Sequence, residues 1–563
     1  MTNKQKFTPD WSEAAPLKGS YRSIFKIGHP DVFRHPSDAW YEMIKEDFDL
    51  TDQDFKQKQQ EGHEQVCLKQ KARLSEQQID SLSSIVGQEN IETNDVARTK
   101  YSHGKTAEEA LDLRQGVVRY VADVVVHPRD KSDVQKIVSF CHDQKIPVTV
   151  FGGGSSVTLG IRPILGGVIL VMTTHMNQVL EINEKNQTAR VQAGCMGPSF
   201  EEALNNAPSY SKTALKYTCG HFPQSFEMST VGGWVVTLGS GQTSTYYGDA
   251  YDLVISQEYV TPTGSFKTSD YPATATGPKV NDIMKGSEGA FGILVEVTMK
   301  IFRYMPENRQ YFSFMFHNWE DTVNASREIS QGEFGLPAVF RISDPEETER
   351  GLRLHGFNGT ISDKVLMLMG YRKMQRCICM GTIEGDASFT GNVRRQIKKI
   401  GKRHGALSLG KMPVKRWEPT RYLEPYMRED LMDYGILSDT LETAVTWDNL
   451  HRLHQGVRSF MKKRPGTICM SHSSHFYPQG TNLYFIFIFK LDQLEEYKQF
   501  QSGIIDAILE HGGSLSHHHG IGEMIAPWME KQLGQEQMAV LQALKKHFDP
   551  NCILNPGKLF SLN

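Results

Sequence analysis

The sequence predicts an α+β protein of about three packed units, and three observations carry that reading. The chain has 563 residues, more than one hydrophobic core organises at roughly 100–200 residues per domain. Val121 to Phe151 reads as strand, helix, strand, near the minimum length for a crossover between parallel strands. Far downstream, Leu483 to Phe489 is apolar on both faces, as the middle of a covered sheet requires.

Residues 1–115 are polar and charge-rich and are expected to form a mainly helical N-terminal extension. Leu74 to Ile85 has helical spacing, and the charged run Lys56 to Glu64 reads as a solvated face. Valine density then marks Val121 to His127 as a strand, closed by Pro128-Arg129-Asp130. The next helix has Ser132 as its expected N-cap, Gln135 as the capping-box partner, and Val134, Ile137, Val138 and Cys141 on one face. After Pro147 comes the strand Val148 to Phe151.

Directly behind that strand stands Gly152-Gly153-Gly154-Ser155-Ser156-Val157. Backbone N–H groups in such a run can turn inward and bind an anion such as a pyrophosphate, although the same run also serves as a tight turn. It is not Gly-x-Gly-x-x-Gly, which disfavours an ordinary dinucleotide fold. Two further glycine-rich stretches follow: Ser229-Thr230-Val231-Gly232-Gly233-Trp234, continuing to Tyr246-Tyr247-Gly248-Asp249, and Met284 to Gly292, ahead of the strand Ile293 to Ile301. Separated loops of this kind suit the two ends of one long cofactor, because each glycine admits a close backbone approach.

From Glu307 to about Ser502 amphipathic segments separate strands such as Lys364 to Gly370 and Leu483 to Phe489, which reads as a second α+β domain. The end of the chain carries a helix, the run Ser516-His517-His518-His519-Gly520, a helix from Gln535 to Phe548, and Asn555-Pro556-Gly557-Lys558. The expected divisions are 1–115, 116–306, 307–505 and 506–563.

A net charge of -3 supplies no basic field for nucleic acid. Eight scattered cysteines read as reduced intracellular thiols, and the close pair Cys377 and Cys379 lacks the further ligands of a metal site, so no metal is expected. Met1 to Asp10 has no apolar signal region, the longest apolar run is too short to cross a bilayer, and Ser561-Leu562-Asn563 is not a peroxisomal address. The expectation is a cytoplasmic protein, with peripheral membrane contact left open.

Gly152 to Ser156, Ser229 to Trp234, Gly286 to Gly289 and the tail Asn555 to Lys558, in this order and spacing, resemble the FAD-binding PCMH-type oxidases of the vanillyl-alcohol-oxidase kind. The resemblance implies non-covalent FAD in a two-subdomain domain, with an α+β cap domain for the substrate. It implies cofactor contacts at Phe151, Gly152, Gly153, Gly154, Ser155, Ser156, Val157, Ser229, Thr230, Gly232, Gly233, Trp234, Glu288, Gly289, Gly292 and Ile293.

From about Tyr101 onward the chain is similar to the alkyldihydroxyacetonephosphate synthase family. Ser102-His103-Gly104 through Leu113-Arg114-Gln115-Gly116 resembles the segment that precedes that family's FAD domain, and Gly512 to Gly520 resembles its histidine run. A hydroxyacid dehydrogenase has Glu-His-Gly there instead. By the same resemblance Arg341 and Arg428 bind substrate, Tyr477, His517, His518 and His519 are catalytic, and Thr440 lines the substrate site where the family carries Ser. The tail Asn555 to Lys558 departs toward the hydroxyacid dehydrogenases and other oxidases, which fits a bacterial-type member.

The implied activity is FAD-dependent alkyl transfer in ether lipid synthesis. Flavin N5 attacks C1 of acyl-dihydroxyacetone phosphate, the acylate leaves, and a long-chain alcohol takes its place without net redox change. The alternative is an FAD-dependent oxidase or dehydrogenase of a hydroxyacid or alcohol. Arginine forks suit a phosphate dianion, the rival reading for either arginine being a surface or structural ion pair. Imidazole and phenol suit proton handling at C1, and an extended histidine run would point its side chains alternately to opposite faces. The implied partners are long-chain acyl and alkyl lipids, with a homodimer left open.

Overall fold

A computed structural model describes residues 7–491 and 493–561. Of the two termini read above, residues 1–6 and 562–563 lie outside the described residues. The chain forms two compact units that do not follow the order of the sequence. One comprises residues 17–25, 63–306 and 515–561; the other comprises 7–16, 26–62 and 307–514. The expected N-terminal extension is therefore shared between the units, and the last crossing falls after Ser514 instead of near residue 505. Among the described residues no helix is long and apolar enough to cross a membrane.

The first unit contains two main sheets. Ile91–Glu92 (β1), Val124–Val126 (β2), Val148–Phe151 (β3) and Val168–Val171 (β4) form a sheet of order β1-β2-β4-β3, in which β2, β4 and β3 run parallel. Its valine-rich strands are covered on both faces. Val124, Val126, Val168 and Leu170 enter one core with Val134, Ile137, Val138 and Cys141 of the helix Lys131–Gln144. Val125, Ile169 and Val171 enter a second core with Ala97 and Phe151. That alternation is the period of two that a strand imposes.

Asp130, not Ser132, caps the helix Lys131–Gln144, accepting from the Asp133 N–H at 3.0 Å. Asp at a turn competes for the cap as well as Ser does, and it stands where the strand-closing turn ends. Gln135 instead donates to Ser265 Oγ at 2.8 Å.

The second sheet is antiparallel, of order β5-β6-β10-β8-β9, from Val179–Asn183 (β5), Thr188–Gln192 (β6), Val254–Thr261 (β8), Gly264–Lys267 (β9) and Ile293–Lys300 (β10). A two-stranded piece pairs Tyr217–Thr218 (β7) with Phe302–Arg303 (β11). The C-terminal tail closes the unit: the Val148 N–H donates to Ile553 O, and the Asn555 N–H donates to Val148 O, both at 2.8 Å. Ile553 and Leu554 fill the larger core.

The second unit is built on one seven-stranded antiparallel sheet of order β15-β12-β14-β13-β17-β18-β16. Its strands are Gln310–Phe316 (β12), Val339–Ser343 (β13), Cys377–Ile383 (β14), Leu407–Ser408 (β15), Ile436–Thr446 (β16), Thr467–Ser473 (β17) and Gly480–Lys490 (β18). The apolar run Leu483 to Phe489 is the middle of β18, paired on both sides. Ile488 packs with Tyr41, Ile44 and Phe55 of the N-terminal segment, while Phe487 and Phe489 meet Phe500 of the helix Leu494–Glu510.

Lys364 to Gly370, expected as a strand, lies mostly in the helix Ile361–Leu368. Thr360 caps it by accepting from the Asp363 N–H, and Gly370 ends the segment at φ +92°. Apolar residues crowd every side of this short helix, which hides its 3.6-residue period, and only Leu366 among them is buried.

The tail's place on β3 is testable. Leu554 is fully buried in the core that contains β2, β3 and β4. Leu554→Ala should cost about 3 kcal/mol, within the 2–5 range for such truncations, and should lower the first melting transition by several degrees. An unchanged melting profile would mean that the tail is dispensable for this unit.

Candidate active site

The loop Gly152 to Val157 leaves β3 and runs against Met228, Ser229 and Thr230. A Cβ at Gly153 would stand 2.2 Å from the Met228 carbonyl oxygen, and one at Gly152 would stand 2.6 Å from Thr230 Oγ1. Side chains are thus excluded from the approach, as the sequence implies for a backbone cradle. Among the described residues no backbone N–H of Gly152 to Val157 is taken up by another backbone carbonyl. Ser156 Oγ accepts from the Thr158 and Gly160 N–H groups, and its carbonyl accepts from the Lys105 N–H at 2.7 Å. That last bond explains the stretch beginning at Ser102: a Cβ at Gly104 would meet Ser156 O at 2.5 Å. A nest of free N–H groups beside small residues fits a pyrophosphate.

The second loop is fixed from within. Thr230 caps the helix Val231–Val236 through the Gly233 N–H, and the Gly232 N–H donates to Ala193 O at 2.9 Å. Trp234 is buried, donates to Ser229 Oγ at 2.8 Å and stacks on Phe226. Ile293 turns its side chain into the core, and Gly292 is buried against Thr261.

Glu288, buried at a left-handed φ of +48°, gathers the third loop. Its Oε1 accepts from the Ile521 N–H at 2.5 Å and its Oε2 from the Gly522 N–H at 2.8 Å. Burial pushes its carboxyl up to about 6, against the pull of those two N–H groups and of Lys558. Asn555 Nδ2 donates both to Glu288 O at 2.6 Å and to Gly160 O at 3.1 Å, tying the first and third loops together. Lys558 Nζ donates to Arg162 O at 2.9 Å, and burial lowers its ammonium to about 8 against the attraction of Glu523. Arg162 in turn holds Glu108 at 2.6 Å.

The histidine run lies outside every helix and strand, so the alternation expected of an extended run does not apply. His517 and His518 pack edge to face at 5.2 Å, and His518 and His519 at 4.8 Å. The Nδ1 atoms of His517 and His518 approach to 3.0 Å, and the His519 N–H donates to Ser516 Oγ.

In the second unit the structure joins Arg341 and Thr440 through residues that the sequence reading missed. Arg341 on β13 donates from Nη2 to Glu347 Oε1 at 2.7 Å. His472 on β17 meets the same oxygen through Nδ1 at 3.0 Å. Tyr484 on β18 stacks on His472 at 4.9 Å and donates to Thr440 Oγ1 on β16 at 3.0 Å. The result is a polar row across four neighbouring strands on one face of the sheet. Burial alone would raise the Glu347 carboxyl, but the Arg341 guanidinium and His472 outweigh it and hold it well below the usual range. Burial pushes the Tyr484 phenol up to about 12. Arg341 Nε is buried and has no hydrogen-bond partner among the described residues.

One signal for Glu347 was legible: Asp344-Pro345 opens the helix Pro345–Leu354, which sets Glu347 in its first turn, and Asp344 accepts from the Glu347 N–H. His472 and Tyr484 needed the strand register. Arg428 behaves differently. It is buried, and its Nε and Nη2 reach Glu429 Oε1 at 3.2 and 3.1 Å, beside an Asp430 that pairs with His35. Tyr477 lies in the turn between β17 and β18, its N–H donating to Gly480 O and its carbonyl accepting from Trp447 Nε1.

Comparison with known proteins agrees with this architecture. The FAD binding domain family matches residues 122–270, and the C-terminal domain of the FAD linked oxidases matches residues 305–559. Alkyldihydroxyacetonephosphate synthase of Dictyostelium discoideum is 32% identical over 490 residues, 84% of this chain and 78% of that protein. A solved alkyldihydroxyacetonephosphate synthase superposes with a TM-score of 0.78 at 27% identity, covering 92% of each chain. Glycolate oxidase subunit GlcD of Bacillus subtilis is 27% identical over 86% of this chain and 96% of its own. With its FAD binding domain, its C-terminal oxidase domain and this extent of shared sequence, the chain belongs to the alkyldihydroxyacetonephosphate synthase family of FAD-dependent enzymes.

Proposed function

We propose that the chain is an alkylglycerone-phosphate synthase-type transferase, which exchanges the acyl chain of acyl-dihydroxyacetone phosphate for a long-chain alcohol. The observation that carries this reading is Arg341. Its guanidinium is fixed on one side by Glu347, and its buried Nε still has a hydrogen bond to give. A buried, always-charged fork with a free donor suits a phosphate dianion, which a hydroxyacid does not possess.

In this reading the N–H groups of Gly152 to Val157 hold the FAD pyrophosphate, and the segments at Ser229 to Trp234 and Glu288 to Ile293 shape the rest of the cofactor site. Bound FAD supplies a nucleophilic ring nitrogen that is regenerated without net electron transfer. Arg341 holds the substrate phosphate, and Glu347 with His472 keeps its fork from rotating. Tyr477 and the histidines at 517, 518 and 519 take up and return the proton at C1, a task that needs groups titrating within reach of neutral pH or tuned toward it. Thr440 and Tyr484 complete the polar lining. Arg428 supports the site through its pair with Glu429, as a second cation.

A second reading has one observation behind it: the tail Asn555 to Lys558 is built into the cofactor loops in the form the sequence shares with oxidases. The deciding experiment incubates the FAD-loaded protein with palmitoyl-dihydroxyacetone phosphate and hexadecanol. Ether product should form without any electron acceptor. Absence of product, together with anaerobic bleaching of the flavin by a hydroxyacid, would replace the transferase by a dehydrogenase.

Arg341→Lys should raise KM for the phosphorylated substrate on the order of a hundredfold, since a point charge replaces a planar fork; an unchanged KM would remove the phosphate from Arg341. Glu347→Gln should also weaken the fold at neutral pH. The folded Glu347 carboxyl lies below its unfolded value of about 4.3, so its stabilisation is complete above that pH and is lost as pH falls through the folded value. The stability gap between parent and variant should therefore narrow as pH drops below about 4, which urea titrations at several pH values would read. Tyr477→Phe should keep FAD bound while turnover falls on the order of a hundredfold, the loss typical of a general acid or base; full activity would exclude its hydroxyl.

A further inference from the structure

The histidine run lies outside every helix and strand, and hydrogen bonds hold both of its flanks. In front, the Ser516 hydroxyl takes the His519 N–H. Behind, the Ile521 and Gly522 N–H groups are both taken by one side chain. We propose that Glu288 is the positioning residue of the histidine run: its carboxylate clamps the Gly520–Gly522 turn onto the loop Gly286–Gly289 and so fixes where His517, His518 and His519 stand.

Three features of the geometry support the clamp. Glu288 adopts a left-handed backbone that non-glycine residues avoid, and such strain persists only where the surroundings over-determine it. Here the Glu288 N–H donates to Val236 O at 2.9 Å and its carbonyl accepts from Asn555 Nδ2, so the residue is gripped on both sides. The fit at the turn is also close. A Cβ at Gly520, where φ is +83°, would stand 2.9 Å from Glu288 Oε1, and one at Gly522 would stand 1.9 Å from Thr158 O.

The third feature is charge. Turning an acidic side chain into a buried site is costly unless both oxygens find donors, and both do. The other charged groups that face it are Lys558 from the tail, with Glu523 and Arg162 beyond it. No side chain but a carboxylate of this length offers two acceptors to two adjacent N–H groups. Glutamine keeps the shape but turns an NH2 toward one of them, and aspartate is a methylene short.

The activity part of the test rests on the proton role assigned to the histidines above; the exchange part does not. Glu288→Gln is prepared as the FAD-loaded full chain and, as a second variant that leaves Glu288 untouched, so is Gly520→Ala. Amide hydrogen exchange across residues 515–523, FAD content, and kcat with KM are measured for each. Both variants should raise exchange at Ile521 and Gly522 by about tenfold or more, keep FAD bound, and lower kcat by about tenfold with KM within about threefold. Unaltered exchange in both variants overturns the clamp, and so does raised exchange with full turnover in whichever reaction the parent catalyses. If the parent forms no ether product, the transferase reading falls while the exchange measurement still decides the clamp.

Discussion

The flavin-binding unit depends on a short parallel pairing between the chain's end and β3. Two backbone hydrogen bonds at Val148 hold Ile553 and Asn555, and from that anchor the Asn555 side chain reaches the carbonyls of Gly160 and Glu288. The anchor sits immediately before the Gly152 to Val157 loop, so the cradle is stiffened at its root. Two apolar residues of the tail, Ile553 and Leu554, make the pairing part of the core rather than an addition to it. Glu288, which accepts from the Ile521 and Gly522 N–H groups, is held by this tail through Asn555 and by Val236 O.

The second unit solves a different problem, that of presenting cationic and phenolic groups from a sheet without leaving them mobile. Antiparallel neighbours put side chains of adjacent strands within reach of one another. Arg341, His472, Tyr484 and Thr440 use that spacing to form a continuous polar row, and Glu347 closes one end from the following helix. The opposite face takes the aromatic packing around Phe487 and Phe500, with Asp439 accepting from the Tyr497 hydroxyl of the helix that carries Phe500. One strand, β18, therefore lends Tyr484 to the polar row and, from the same face, Ile488 to the core with Tyr41 and Phe55, while Phe487 packs on the other side.

Much of this was legible because it was local. The three glycine loops, the helix that follows β2 and the apolar middle of β18 are each written in contiguous residues. The misreadings are local ambiguities: Asp130 and Ser132 are both good caps, and the apolar crowding of Ile361–Leu368 masks a helix. What stayed hidden depends on register. His472 opposes Tyr484 only because β17 and β18 pair as they do, and nothing near Glu288 in sequence announces that its acceptors serve Ile521 and Gly522. Likewise, residues 1–115 read as one extension, whereas the segments pack by hydrophobic surface: Tyr41 and Phe55 join the core of the seven-stranded sheet, while Leu82 and Val86 join that of the parallel one.

The division of the chain also bears on how the protein is made. The glycine loops are synthesised early, whereas Asn555 and Lys558, which bond to them and to Arg162, follow only after the whole of 307–514. At ~5–20 residues per second, a ribosome spends about 20 to 80 seconds between the loop at Gly153 and Asn555. During that interval β3 has an unpaired edge and the nest lacks its stiffening strut. A chain halted before Asn555 therefore holds every glycine of these loops but lacks the side chain that joins the carbonyls of Gly160 and Glu288.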